Sequence, residues 1–506
     1  MTILTDASLE FAKEHIQKYY DSDFFPKPIE FEAIWQQWDD VKSDLMSKNV
    51  SKLWITPPRV MAIAKPKGGF RVVHQLEPLD AVVYTALACH IAPQIEDARV
   101  PVEFHVACSY RLSIANGSFF GAGSGWTNFE DKTKELAKKY SHVLATDITD
   151  FYNQIYLHRV SNAIESADAG LKALGDDIEF FLSSLNSKSS QGVPVGPAAS
   201  IVMSEAVLID VDTFLRDQGL EHTRYVDDFR LFSNSPRQLQ IVLERLTLYL
   251  YQTHRLTISS EKTIAMQADE YVEKLLQNHY IEEKHELLQT LTSFNTYTGD
   301  YEEIEVESVD ETQEQQAQLM SALEKILEYD HLDLGLARGV IRTARRNSIP
   351  VLAPMILDHF QFFTPVVNDV FLYLNEVTDT ATAVELRPFV EKVIELPAMD
   401  GQIVRFWMEW YVAQHEELMK SQKVHHFVFS GPNVENQALA AITTKNVAWV
   451  RTQKTNVYNL GGWGRRAVLN ASRVLPSDER NHWLKLFTAN GPALEKWVAK
   501  WVLETA

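Results

Sequence analysis

A chain of 506 residues, 45% of them hydrophobic, is long enough for two or three domains with real cores and too long for one small module. A formal net charge of −20 argues against a broad basic track along a long free duplex, because Lys and Arg contacts to phosphate dominate such affinity. Two cysteines, Cys89 and Cys108, lack metal-ligand partners at useful spacing, which excludes a disulfide scaffold and points to a reducing, cytoplasmic setting. No charged start leads into an apolar run, and no stretch reaches about eighteen uninterrupted apolar residues, so neither secretion nor a membrane span is expected.

In chain order, residues 1–45 read as helical, with a break at Asp21-Ser-Asp-Phe-Phe-Pro-Lys-Pro28. Lys65-Pro-Lys67-Gly68-Gly69-Phe-Arg71 reads as a hairpin with a Gly-Gly turn and flanking positive charge. Arg71 brings a planar fork suited to phosphate oxygens. Leu79–Ile91 is an apolar helix, and Cys108-Ser-Tyr-Arg-Leu-Ser113 follows. Gly121-Ala-Gly-Ser-Gly125 is Gly-rich, but no strand precedes it and no Lys-Ser/Thr follows, so a flexible loop is expected rather than a phosphate-binding loop.

Val143-Leu-Ala-Thr-Asp147 is a β-rich run ending on an acid, with an aromatic, Tyr152, five residues on. Tyr152 also reads as a core tyrosine paired with Phe151. Asp150, three residues beyond Asp147, is expected to point away from any ion held there. Gln191-Gly192-Val-Pro-Val-Gly196 is a loop running into a small-residue helix. Its glycines let backbone approach a ligand, and the Gln191 amide offers both a donor and an acceptor. Alone it is an ordinary connection.

His222-Thr-Arg-Tyr-Val-Asp-Asp-Phe-Arg-Leu-Phe232 reads as a tight hairpin presenting Asp227 and Asp228 at its tip. Adjacent acids on a rigid turn repel, so a cation is expected to neutralise them; the plain alternative is a surface turn that uses Asp for its turn propensity. Leu256–Thr263 follows, with Lys262 either facing negative charge or solvated. Residues 298–316 carry many acids and no Lys or Arg, as a solvated linker does. From Ala317 onward the pattern is helical, in segments such as Leu319–Tyr329, Leu336–Arg346, Val351–Phe363, Val366–Val377 and Ile403–Leu418. Pro350, Pro354, Pro365, Pro388 and Pro397 are expected near helix ends. The spacing fits stacked helix pairs of a HEAT-like repeat. Trp407, Trp410, Trp449, Trp463, Trp483, Trp497 and Trp501 are expected in its core rather than as base-stacking platforms.

Acid strand, Gln-Gly loop, Tyr-x-Asp-Asp hairpin and Lys-Thr segment follow one another as in the palm of a reverse transcriptase, and the Lys65–Arg71 hairpin resembles that family's fingers. Phe24-Phe-Pro-Lys-Pro28, the Cys108-Ser-Tyr-Arg string and a helical C-terminal half are similar to one branch, the bacterial abortive-infection or defence-associated reverse transcriptases. Motifs carry the resemblance over about residues 15–275, and architecture alone carries it over 317–506. The expected fold class is α+β, with fingers and palm on an antiparallel sheet followed by an all-α HEAT-like domain. The expected boundaries are a helical segment at 1–45, fingers and palm at 46–275, an acidic linker at 276–316 and the repeat domain at 317–506.

The resemblance implies nucleotidyl transfer with two Mg²⁺ ions (Mn²⁺ as substitute) held by Asp147 and Asp227, with Asp228 and the Ile148 carbonyl as further oxygens. Lys262 would neutralise or protonate departing pyrophosphate. Lys65, Lys67, Arg71, Gln191 and Gly192 would bind the deoxynucleoside triphosphate, and Tyr152 would bar a ribose 2′-hydroxyl. It also implies anti-phage defence in a bacterial cytoplasm, untemplated DNA synthesis primed from a protein tyrosine, and trimers or hexamers. Tyr19, Tyr20, Tyr297 and Tyr301 are priming candidates, and the partners expected are deoxynucleotides and a covalently attached single-stranded DNA product. Two other readings stand beside this one. One is a reverse transcriptase copying a dedicated small RNA. The other is a non-catalytic scaffold, against which the intact acids, Tyr152 and Lys262 argue.

Overall fold

The computed structural model describes residues 3–20, 24–121, 125–276 and 309–506. Tyr297, Tyr301, residues 122–124 of the Gly-rich string and most of the acidic stretch lie outside them. The described residues fall into two compact units that interleave along the chain. The first takes 3–20, 42–59, 74–121 and 125–276, and the second takes 24–41, 60–73 and 309–506.

Strands β1 (Arg59–Ala64) and β2 (Phe70–Gln75) form a two-stranded sheet closed by the expected turn, where the Lys65 N–H donates to the Gly69 carbonyl at 3.0 Å. Both turn glycines have positive φ (+90° and +76°), a conformation glycine adopts without steric cost. A second small sheet pairs β3 (Leu112–Ala115) with β4 (Ser118–Phe120).

The first unit centres on a four-stranded antiparallel sheet in the order β6–β7–β5–β8. Its strands are β5 (His142–Asp147), β6 (Glu221–Tyr225), β7 (Asp228–Ser233) and β8 (Ile264–Gln267). Val143, Leu144, Phe229, Leu231 and Phe232 are buried in its two central strands, which explains their near-continuous apolar sequence. Successive residues face opposite sides. Arg224 reaches Asp212 on the helix Ala198–Asp217, whereas the Tyr225 ring meets Trp126 and Phe129 on the helix Trp126–Lys139. The helices Pro78–Ala98, Leu157–Ala167, Lys172–Leu185 and Ala198–Asp217 pack together on the Arg224 side. There Tyr84 shares a 3.0 Å hydrogen bond with Ser200 and stacks on Phe181.

The second unit is helical apart from the hairpin. Leu334–Arg346 packs on Val367–Val377, that helix on Gln402–Gln414, and then Val434–Thr443, Gly462–Ala471 and Ala493–Thr505 follow in series. The final helix is covered by the N-terminal helix Glu30–Gln36, whose Ala33 joins the core of Leu469, Leu484 and Val498. The Phe24–Pro28 string belongs here too: the Trp407 indole donates to the Phe24 carbonyl at 2.8 Å. Trp407, Trp483 and Trp497 are buried, and Trp410, Trp449, Trp463 and Trp501 are partly buried, so all seven indoles serve packing.

Two expectations are corrected. The first helix of this region is Val309–Leu327, so the end of the acidic stretch is helical rather than linker; Gln313-Glu314-Gln315-Gln316 has good helix propensity. Pro388 lies inside the helix Thr380–Val393, not at its end. An interior proline leaves the carbonyl four residues back without its N–H partner. That residue is Val384, which is 50% exposed, so water can serve the carbonyl.

Candidate active site

Asp147 is the last residue of β5, and its register partner across the ladder is Asp228, the first residue of β7. Asp228 also pairs with Tyr225 of β6, leaving Val226 and Asp227 as a two-residue turn. The turn holds Val226 at φ +54°, where two-residue hairpins usually place glycine. Three carboxylates thus gather at one end of the sheet. The Ile148 N–H donates to the Asp227 carbonyl at 3.2 Å and ties the turn to the end of β5. The bridge between Ile148 and Ile258 runs through the Thr149 N–H and the Asp147 carbonyl, so it leaves the Ile148 carbonyl out.

The electrostatics are strained. Burial and then the neighbouring Asp147 push the Asp227 carboxyl up to about 7, against its own backbone hydrogen bond and Lys262, with Asp228 adding least. Burial also pushes Asp228 up to about 6, with Asp147 adding to it and Arg230 opposing it. Lys262 sits in a short 3₁₀ turn, Ser260–Lys262, just before β8, and its ammonium donates to Asp147 Oδ2 at 2.7 Å. One ammonium beside three acids leaves an excess of negative charge.

That excess, with oxygen donors alone, fits Mg²⁺. Among the described residues no set of three or more His, Cys, Asp or Glu groups converges on a single point. The chain would therefore give any one ion a couple of carboxylates and leave the rest of its shell to water and substrate phosphate.

Tyr152 lies on the helix Phe151–Gln154 with its ring partly exposed and edge-on to Phe151 at 5.6 Å. Its carbonyl accepts the Val193 N–H at 2.9 Å, which joins it to the Gln191 loop. Asp150 is exposed, and its carboxylate accepts from the Asn153 amide at 2.8 Å. The Gln191 Nε2 donates to the Gln154 side chain at 2.6 Å, while Asn186 clamps the Gln191 and Gly192 carbonyls at 2.9 and 2.6 Å. Gly192 has φ +94°, and a Cβ there would lie 3.3 Å from the Asn153 carbonyl oxygen. Val195 exchanges hydrogen bonds with His74, at 2.9 Å to the backbone and 3.0 Å to the ring. Lys65, Lys67 and Arg71 are exposed on the β1–β2 hairpin. Tyr19 ends the helix Asp6–Tyr19, and the hydroxyl of the next residue, Tyr20, accepts from Gln75 at 2.9 Å.

Beside the acids lies a buried charge network that the sequence reading missed. The Arg224 guanidinium meets Asp212 at 2.9 Å and Glu205 at 2.9 Å, and Glu205 also meets Arg99 at 2.9 Å. Burial would lower the Arg224 pKa, but Asp212 and Glu205 outweigh it and hold it above its ordinary value. Burial would likewise raise Asp212, yet Arg224 brings it down to about 2. A signal was available: Glu205 and Asp212 stand seven apart on one face of an otherwise apolar helix.

The sheet thus carries three carboxylates at its strand ends and turn. Residues 63–297, just under half of the chain, match the family profile for reverse transcriptase (RNA-dependent DNA polymerase). The chain thus carries a reverse transcriptase domain, and its enzyme class is RNA-directed DNA polymerase. A search of curated proteins found no match. Among solved structures, apo telomerase from Candida Tropicalis aligns at 11% identity over 74% of each chain, with a TM-score of 0.35. Telomerase from Candida albicans with a TWJ fragment of telomeric RNA aligns at 10% identity over 74% of this chain and 70% of that one, with a TM-score of 0.32. No helix among the described residues is long and apolar enough to cross a membrane.

Proposed function

We propose that this reverse transcriptase domain adds deoxynucleotides at the Asp147–Asp227–Asp228 cluster and acts in bacterial anti-phage defence, with untemplated synthesis primed from a protein tyrosine. The observation that supports the site is the register pairing of Asp147 with Asp228 beside an Asp227 pushed up to about 7. In this reading Asp147, Asp227, Asp228 and the Ile148 carbonyl hold two Mg²⁺ ions, for which Mn²⁺ can substitute. When bound, the ions supply Lewis-acid charge for attack at phosphorus and for departure of pyrophosphate.

Lys262, freed from Asp147, neutralises or protonates the leaving pyrophosphate. Lys65, Lys67 and Arg71 grip the triphosphate, and Gln191 with the Gly192 backbone orients the sugar. Tyr152 excludes a ribose 2′-hydroxyl. The helical unit is proposed to be a HEAT-like repeat that supports a homo-oligomer.

The defence and priming parts rest on the motif resemblance and on charge. A chain of net charge −20 gains little affinity for a free primer–template, and less as salt rises. A covalently tethered end keeps a high effective concentration at the site without such affinity. The test is to purify the protein from its native host, denature it, trim with nuclease and search its tyrosines by mass spectrometry. A nucleotide on one tyrosine, lost in Asp227→Ala, is expected. Active protein that carries no covalent nucleotide and extends only annealed primers overturns priming and leaves the RNA-templated reading in its place.

A further inference from the structure

The turn that carries Asp227 is gripped by groups that the proposed chemistry does not use. The Val226 N–H donates to the Ser109 hydroxyl at 2.8 Å, and the Val226 carbonyl accepts from Arg224 Nη1 at 3.2 Å. Ser109 Oγ donates onward to Glu205 Oε1 at 3.1 Å, and Ser109, Glu205 and Arg224 are all fully buried. The segment bearing Ser109 is itself fixed: the Cys108 N–H donates to the Arg224 carbonyl at 3.0 Å, and Arg99 donates to the Ser109 carbonyl at 2.9 Å.

Such a grip has a physical reason. A β-branched residue is strained at positive φ, and Val226 stands at +54°. Unrestrained, it would relax toward negative φ and swing the next residue, Asp227, away from the end of β5. Hydrogen bonds at both the N–H and the carbonyl of Val226 oppose that rotation. The Ser109 hydroxyl and the Arg224 guanidinium are in turn held by Glu205 and Asp212.

We infer that Ser109 is a positioning residue: by accepting the Val226 N–H it holds the turn in the conformation that aims Asp227 at the site across from Asp147. This rests on the reading of Asp227 as a metal ligand. Arg224 shares the task, but removing it would strand two buried acids, so Ser109 is the cleaner probe.

The experiment compares the full-length parent with Ser109→Ala, Val226→Gly, the double variant and Asp227→Ala. Deoxynucleotide incorporation is measured with Mg²⁺, Mn²⁺ binding by electron paramagnetic resonance without substrate, and melting in EDTA. Ser109→Ala should lower kcat by about tenfold, the scale of one lost hydrogen bond, with the nucleotide KM little changed. Mn²⁺ binding should weaken by a similar factor. Because glycine adopts positive φ freely, adding Val226→Gly should recover much of both losses, which a merely structural role for Ser109 would not allow. Parent-like kcat and Mn²⁺ binding in Ser109→Ala overturns the inference. So does a loss that follows the melting temperature and is not relieved by Val226→Gly. If Asp227→Ala itself keeps Mn²⁺ binding and incorporation, the metal-ligand reading fails instead.

Discussion

The two units bury charge on different scales. In the palm unit, Arg99, Arg224, Glu205 and Asp212 are each at most 3% exposed and share ion pairs inside one network. In the helical unit the largest fully buried side chains are Trp407, Tyr373 and Tyr411, with hydroxyls and the indole N–H met by neutral partners. Buried charge there comes in smaller, separate groups, such as Glu30 with Arg466 at 2.7 Å and Asp369 with Arg338 and Arg342. Apolar packing stabilises without dictating an atom's position to a fraction of an ångström. A satisfied ionic network is directional, and one lies against the turn that carries Asp227. The contrast is one of connection: the palm joins its buried charges into one network beside the Asp227 turn, whereas the helical unit keeps buried charge in separate groups among apolar side chains.

The sharpest break in that contrast is Asp227→Ala. It should reduce deoxynucleotide incorporation by about a thousandfold or more, as loss of a central electrostatic group does, while the melt in EDTA stays the same or rises because carboxylate repulsion is relieved. Near-normal incorporation with Mg²⁺ would remove the palm site altogether.

Next in size is Arg224→Met, which strands Asp212 and Glu205 in the interior and should cost about 3–5 kcal/mol by denaturant titration. Trp407→Ala in the helical unit should cost a similar 3–5 kcal/mol through a cavity. The distinction lies in rescue: adding Asp212→Leu should restore part of the palm's stability, because Glu205 keeps Arg99 as its partner. Failure of that rescue would mean that the network is more than a balanced set of charges.

Tyr152→Val should raise the ratio of ribonucleotide to deoxynucleotide incorporation by about tenfold or more, the scale on which removing a steric block acts, with a modest loss of deoxynucleotide rate. An unchanged ratio would return Tyr152 to a packing role beside Phe151.

The smallest effects are in pH. Burial lowers His74 in the palm and His415 in the helical unit to about 4, from a usual 6.5. Between these values the unfolded chain binds more protons, so both units should lose stability as pH falls from about 6.5 toward 4. Buried acids give an opposing slope: burial raises Glu409 and Glu495 in the helical unit, and in the palm it raises Asp227 and Asp228. Asp227 is raised from 3.8 to about 7, so without metal the folded state holds the extra proton and stability should fall as pH rises through that window. Melts in EDTA should show this slope, and Asp227→Asn should reduce it to the part that Asp228 carries. Equal slopes with and without the substitution would contradict the buried acid cluster.

Much of the palm was legible because its motifs are local. Asp147 ends an apolar run, Gly68-Gly69 makes a turn, and Tyr225–Asp228 is a hairpin; each is decided by backbone preference and nearest neighbours. The helical unit was legible as helix, but Pro388 misled, since only the exposure of Val384 tells whether a helix can absorb a proline. The Arg224 network was not legible. Arg99, Ser109, Glu205, Asp212 and Arg224 lie on four separate stretches, and only the Glu205–Asp212 spacing on an apolar helix hints at them.

By itself the sequence determined which residue types stand at which strand ends and turns, and hence the carboxylates, the Gln-Gly loop and the lysine that the site contains. Only the tertiary structure decided that Asp147 faces Asp228 in register, that Lys262 reaches Asp147 at 2.7 Å, and that Ser109 and Arg224 hold Val226 at φ +54°. The physical reason is distance along the chain. Local preference sets a residue's own backbone, whereas burial, repulsion and ion pairing depend on partners far away in the chain, such as Ser109 and Val226, which meet only once the fold has closed.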